Sequence, residues 1–237
     1  MIFLMALQLW SAKPSLEFQH EGTVGYVFDL PVTYNPQVQY WINFYQTRGR
    51  NWFKKWLSRG QIHVPRLKQM LAEAGLPKDL VYLAMIESGL SVHATSHAQA
   101  VGPWQFIKPT ATRFGLTVNW WLDERRDFYK STKAAIQYLK YLHERFDCWY
   151  LAAAAYNTGE GRVSRMIKKH KTRDFWQLAN SKSLAKETQQ YIPKLLATML
   201  MAKTPRLYGF HDIPSAKDLP SETFYVPGGT HLDEVAK

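Results

Sequence analysis

Glu87 closes the apolar run Leu80-Val-Tyr-Leu-Ala-Met-Ile86 and is followed at once by Ser88 and Gly89. A carboxylate carried to the end of a buried helix has its charged form disfavoured, so its pKa rises and it stays protonated near neutral pH, ready to donate. Two islands follow: Gly102-Pro-Trp-Gln-Phe106, with Gln105 at 105 − 87 = 18 residues beyond the acid, and Ala155-Tyr-Asn-Thr-Gly159. Together they predict a proton donor beside a polar, aromatic binding cleft. A buried acid paired with a basic residue is the competing account of Glu87. Loop and cap hydrogen bonding competes in the same way for Ser96, Gln105 and Asn157. The joint spacing carries the reading, not any single residue.

Other chemistries find less support. His93 and His97 are four apart, but no carboxylate accompanies them in the pattern of a zinc hydrolase and His-Glu-x-x-His is absent. Ser88 lacks the Gly-x-Ser-x-Gly elbow because Ile86 stands where the first glycine belongs. No glycine loop for phosphate and no acidic calcium loop occurs, so neither a metal nor a cofactor is expected.

At 237 residues and 27.6 kDa, with 46% hydrophobic content, the chain can bury one sizeable core with appended arms. Thirty Lys+Arg against 19 Asp+Glu give +11 and a pI near 9.6, which draws the protein to polyanions without saying which. Nucleic acid, an anionic membrane and an acidic cell-wall polymer all fit the sign, yet no compact nucleic-acid motif is present. The lone Cys148 excludes an intramolecular disulfide and a multi-cysteine zinc site, and reads as core filling.

The elements that must position these residues are helical. Residues 1–12 are apolar enough for the core of an export signal and far short of the roughly 20 a membrane helix needs. They begin without a basic residue, so an N-terminal arm packed on the domain is the equal alternative. No cysteine follows, which argues against lipid attachment there. Phe28 to Pro36 is an extended lead-in. Val38–Tyr45 and Asn51–Ser58 read as helices whose stripe of Tyr40, Trp41, Phe44, Tyr45, Trp52, Phe53 and Trp56 packs the arm on the domain. Further helices are expected at Pro65–Gly75, from Pro77 to Glu87, at Pro109–Phe114, Thr132–Phe146, Gly161–His170 and Thr188–Met201, with Pro193 starting or kinking the last. Ala152–Ala155 permits close helix approach. Residues beyond 205 are punctuated by Pro and Gly, with a strand-like Thr223–Val226.

With these islands in view, the chain resembles the soluble-lytic-transglycosylase-like domain of the lysozyme superfamily over roughly residues 61–205. The resemblance rests on Ile86-Glu-Ser-Gly89, Ser96, Gly102-Pro-Trp-Gln105, Ala155-Tyr-Asn157 and Glu187 through Tyr191, in that order. Pro31–Pro36 and Trp52–Trp56 are similar to the D-type branch of the membrane-bound lytic murein transglycosylases. The resemblance implies a mainly α, lysozyme-like fold (goose-type/lytic transglycosylase) with an N-terminal arm over 13–60 and a C-terminal extension over 206–237. It implies Glu87 as the catalytic acid/base, Ser96 and Gln105 orienting the sugar, Tyr156 and Asn157 lining the cleft, and Trp104 and Tyr191 among the substrate-binding residues. Trp104 stands where many members have methionine, which bears on the shape of the sugar subsite. Val226–Ala236 looks like the opening of a lysin-motif-type wall-binding repeat.

The implied reaction is cleavage of the MurNAc-β-1,4-GlcNAc bond of peptidoglycan. Most glycosidases flank the scissile bond with two carboxylates. Here Asp123, Glu124 and Asp127 lie among Arg125, Arg126 and Lys130 and read as ion-paired surface, leaving Glu87 alone. Glu87 would then protonate the leaving oxygen and take a proton from the sugar's own C6 hydroxyl, giving a 1,6-anhydromuramyl end. The expected partner is the glycan strand, not nucleic acid, with peripheral membrane association, a monomeric state and a periplasmic or envelope location. A hydrolytic muramidase on the same fold and a catalytically silent glycan-binding scaffold are the alternatives.

Overall fold

Asn35 opens the helical part of the chain: its side chain accepts the backbone N–H of Val38 at 3.0 Å, and Pro36 takes the first helical position, where its missing N–H costs nothing. The computed structural model describes residues 27–213 apart from Lys182, and regular structure in that range is helical apart from isolated bridges. The expected export segment, the strand-like Thr223–Val226 and the wall-binding opening lie outside the described residues. Among those described, no helix is long and apolar enough to cross a membrane.

Helix α1 (Pro36–Gln46) and helix α2 (Arg50–Glu73) carry the aromatic stripe. Tyr45 stacks on Phe53 at 4.7 Å between ring centroids, and Trp41 donates its indole N–H to Gln190 at 3.0 Å. The stripe is less complete than expected, since Tyr40 and Trp52 are each 59% exposed. They point away from the seam that Tyr45 and Phe53 fill.

The separate helix expected from Pro65 does not exist, because α2 runs through Pro65 without a break. Proline there forfeits one helical hydrogen bond and crowds the carbonyl a turn earlier. Buried Leu57 before it and Leu67, Met70 and Leu71 after it anchor both halves to the same core, and this outweighs the local penalty. The expected domain boundary at residue 60 therefore falls inside one helix.

The lead-in is fastened by polar contacts. Asp79 is 1% exposed, accepts the N–H of Asp29 at 2.8 Å and pairs with Lys203 at 2.6 Å, while Tyr150 donates its hydroxyl to the Pro31 carbonyl. Removing one member of a buried pair leaves the other charge uncompensated. Asp79→Ala is therefore expected to cost about 3 kcal/mol or more, read as a shifted urea midpoint, and an unchanged midpoint would deny the clasp its structural role.

A 3₁₀ turn, Lys78–Leu80, leads into α3 (Val81–Ser88), in which Val81 through Ile86 are all buried. Gly89 stops it with φ +62°, and a Cβ there would lie 2.1 Å from the Trp56 indole nitrogen. Two reasons thus require glycine: the left-handed backbone and the tryptophan against it.

After α4 (Lys108–Arg113), α5 (Phe128–Phe146) begins four residues before the expected Thr132. Asp127 accepts the N–H groups of Tyr129 and Lys130, each at 2.8 Å, so it caps this helix; the expected ion-paired role is corrected accordingly. Then come α6 (Trp149–Thr158), α7 (Glu160–His170), α8 (Phe175–Asn180) and α9 (Lys186–Lys203). Ala152–Ala155 are buried where α6 packs between α5 and α9. Gly161 lies inside α7, and α9 continues through Pro193. Helix α8 was not anticipated, although Asp174 caps it by accepting from Trp176 N at 2.7 Å. Cys148 packs against the core yet is only half-buried.

Candidate active site

The carboxyl of Glu87 reaches the surface only in part, at the end of a helix otherwise sunk in the core. Burial pushes it up from an ordinary 4.5 to about 7; the hydrogen bond from Tyr191 and the Lys194 ammonium pull it back, and the charge of Glu187 lifts it again. Tyr191, on α9, donates its hydroxyl to Glu87 Oε1 at 2.5 Å. Lys194, one turn further along the same helix, donates to the Ile86 carbonyl at 2.9 Å and lies over the rings of Trp41 and Trp56. Helix α9 thus presents one hydroxyl and one ammonium to the end of α3. Such an acid is half protonated near neutral pH and can both release and accept a proton.

A loop over residues 90–106 forms the neighbouring wall. Gly102 has φ +81°, and a Cβ there would sit 1.8 Å from the Arg125 carbonyl, so only glycine lets the two backbone segments meet. Ser88 ties this loop to the acid's helix by donating to the Pro103 carbonyl at 2.8 Å. Gln105 adopts φ +51° and spends its amide nitrogen on the carbonyls of Gly102, at 2.9 Å, and Ala94, at 3.4 Å. Ser96 accepts from Ala100 N at 3.1 Å within a tight turn. Both side chains do the loop-holding work that competed with ligand binding in the sequence, and both remain half-buried.

Tyr156, in the last turn of α6, donates to the Trp104 carbonyl at 2.7 Å. Burial first, and then the Glu87 charge, hold its hydroxyl well above its usual range, as they do for Tyr191. Asn157 bridges α6 to the start of α9: its amide donates to Glu187 at 3.1 Å and its oxygen accepts from Thr188 at 2.9 Å. The structure therefore gathers Glu87, Tyr156 and Tyr191 about one carboxyl, with Asn157 linked to them through Glu187. Trp104 requires a correction as a substrate-binding residue. Its ring is fully buried and donates to Thr132 at 2.8 Å, so it supports the wall from beneath.

The acidic cluster is accounted for. Asp123 pairs with buried Arg125 at 2.7 Å, and Glu124 pairs with Lys130 and accepts from Thr117 N at 2.7 Å. The sequence places Glu187 at the head of the Glu187–Tyr191 island without giving it a role; it is exposed in the first turn of α9 and close enough for its charge to raise the Glu87 pKa. The signal available was its place four residues before Tyr191 on one helix face. Among the described residues no group of three His, Cys, Asp or Glu side chains gathers to hold a metal.

Residues 67–179 match the family described as the transglycosylase SLT domain. Over 139 residues the chain is 44% identical to membrane-bound lytic murein transglycosylase D of Escherichia coli (strain K12), covering 56% of this chain and 30% of that protein. Over 123 residues it is 37% identical to a protein of Alteromonas sp. (strain M-1) named for a proposed role in tributyltin chloride resistance, covering 52% and 58%. The chain thus spans under two thirds of the length of either relative. Among solved structures, the 70 kDa soluble lytic transglycosylase Slt70 of Escherichia coli superposes with a TM-score of 0.51 at 23% identity, over 63% of this chain and 24% of that one, which establishes the fold. With a fold like that of Slt70 around an acid at the end of α3, residues 67–179 match the transglycosylase SLT domain.

Proposed function

We propose that this chain is a peptidoglycan lytic transglycosylase with Glu87 as its single acid/base. The observation that carries the reading is the Glu87 carboxyl, lifted to about 7 by burial and tied to Tyr191. The protonated acid donates to the oxygen of the MurNAc-β-1,4-GlcNAc bond as the C1–O bond breaks, and positive charge develops on the muramyl ring. The resulting carboxylate is stabilised by the Tyr191 hydroxyl and the Lys194 ammonium. It then takes the proton of the muramyl C6 hydroxyl, whose oxygen closes onto C1. One proton leaves Glu87 and one returns, so the enzyme ends as it began.

In this reading Ser96 and Gln105 shape the wall that receives the sugar, and Tyr156 and Asn157 hold the cleft floor beside Glu87. The strand is met outside the cytoplasm, in the periplasm or cell envelope. The name of the Escherichia coli relative, a membrane-bound lytic murein transglycosylase, supports murein as the substrate. Glu187 keeps a second reading open, a muramidase in which that carboxylate activates water, because its charge reaches Glu87.

Purified sacculi test the activity: the protein should release soluble muropeptides and lower turbidity. Intact sacculi after prolonged incubation with folded protein would reject the proposal. An acid that must begin protonated also fixes the pH profile, so kcat/KM should fall as pH rises through about 7. A rate that climbs through that range would assign Glu87 the role of a base from the outset.

A further inference from the structure

Trp120 is 92% exposed and Trp121 82%, the most open large apolar side chains among the described residues. They are held at the tip of a fastened loop. Asn119 Oδ1 accepts the N–H groups of Trp121, at 2.9 Å, and Leu122, at 2.7 Å, and Asn119 N donates back to the Leu122 carbonyl at 2.9 Å. Val118 bridges Asp123, and Glu124 N donates to the Thr117 carbonyl at 3.0 Å while the Glu124 carboxylate accepts from Thr117 N. The two indoles meet edge to face, with centroids 5.5 Å apart and planes at 65°. Leaving two indoles in water on an ordered turn forfeits burial that the core could have supplied, the kind of exposed apolar surface that marks a binding site.

The base of this loop is bolted to the wall of the cleft. Arg125 donates to the carbonyls of Gln99, at 3.0 Å, and Phe106, at 3.1 Å, and Arg126 donates to the Val92 carbonyl at 2.9 Å and to Thr95 Oγ1 at 3.2 Å. Those acceptors belong to the segment that carries Ser96 and Gln105. The loop that carries the tryptophans is thus fixed to the segment that walls the candidate cleft.

We propose that Trp120 and Trp121 form a sugar-stacking platform, an accessory site for the pyranose rings of a glycan strand that extends beyond the cleft. The proposal rests on the glycan reading of the active site. A pyranose offers an apolar face of C–H groups that suits the electron-rich face of an indole, and the exposed Asn119 beside the indoles offers a polar partner for its hydroxyls. The same surroundings disfavour an anionic membrane. Arg125 and Arg126 point inward to carbonyls, Lys130 is paired with Glu124, and the side chains flanking the tip are neutral or acidic.

The test uses Glu87→Gln as background so that binding is read without cleavage. Combined Trp120→Ala and Trp121→Ala should weaken cosedimentation with purified sacculi on the order of tenfold, leave the melting temperature unchanged, and let Phe at both positions recover most of the binding. With Glu87 restored, the Ala pair should raise KM by a similar factor and change kcat little. Unchanged sacculus binding overturns the platform. So does a loss seen only with phosphatidylglycerol–phosphatidylethanolamine vesicles, which would make the tip a membrane contact, and so does failure of the Phe pair to recover binding. If the parent protein proves unable to cleave sacculi while the tryptophan-dependent binding holds, the catalytic reading fails and the platform stands.

Discussion

Glu87→Gln is expected to reduce release of muropeptides from sacculi by at least about 10³-fold, since the amide keeps the shape of the side chain and has no proton to give. The same substitution should make the protein more stable at alkaline pH. The Glu87 pKa is raised on folding, from 4.5 to about 7, so the folded state holds a proton that the unfolded chain has already released in that window. Stability contributed by the neutral acid is complete below about 4.5 and is lost as pH rises through about 7. Glutamine never ionises, so by pH 8 the variant should exceed the parent by up to about 3 kcal/mol, with little difference at pH 4. Urea midpoints at the two pH values measure this. Equal activity of parent and variant would remove Glu87 from the chemistry, and equal stability at pH 8 would mean its carboxyl is ordinarily solvated.

Tyr191→Phe should have the next largest effect. The hydroxyl donates to Glu87 Oε1, a bond that favours the carboxylate left behind when the proton moves to the leaving oxygen. Loss of one positioned donor to developing charge costs on the order of 10²–10³ in kcat. It should also displace the descending limb of the pH profile upward, because a force that lowered the Glu87 pKa is gone. A purely structural role for Tyr191 would lower the melting temperature and leave that limb where it was. The two readouts therefore separate chemistry from packing.

The acid itself was legible in the sequence because three local signals agreed: an apolar run, a carboxylate at its end, and a glycine to stop the helix. The place of Tyr156 and Asn157 in the last turn of a close-packed helix was legible for a similar reason, since the alanine run before them fixed that helix and Gly159 ended it. What escaped depended on distance through space. Tyr191 was expected to touch substrate, and only the packing of α9 on α3 shows that it reaches across 104 positions of sequence to the Glu87 carboxyl. Trp104 looked like a cleft aromatic, yet a hydrogen bond to Thr132 on α5 holds its ring inside. Pro65 looked like a helix start because its local penalty is visible in the sequence, whereas the buried leucines that outweigh it act through tertiary contacts. Glu187 shows no local anomaly at all, being an exposed acid in a first helical turn, a favourable place for one anyway.

The mass of the released product tests the central claim most directly, because it records where the second proton came from. If the C6 hydroxyl closes onto C1 under Glu87 alone, muropeptides will be about 18 Da lighter than hydrolytic products, by the water that never adds, and their muramyl ends will resist borohydride. Products of full hydrolytic mass that borohydride reduces at muramic acid would contradict the account and point to Glu187 as the base that activates water.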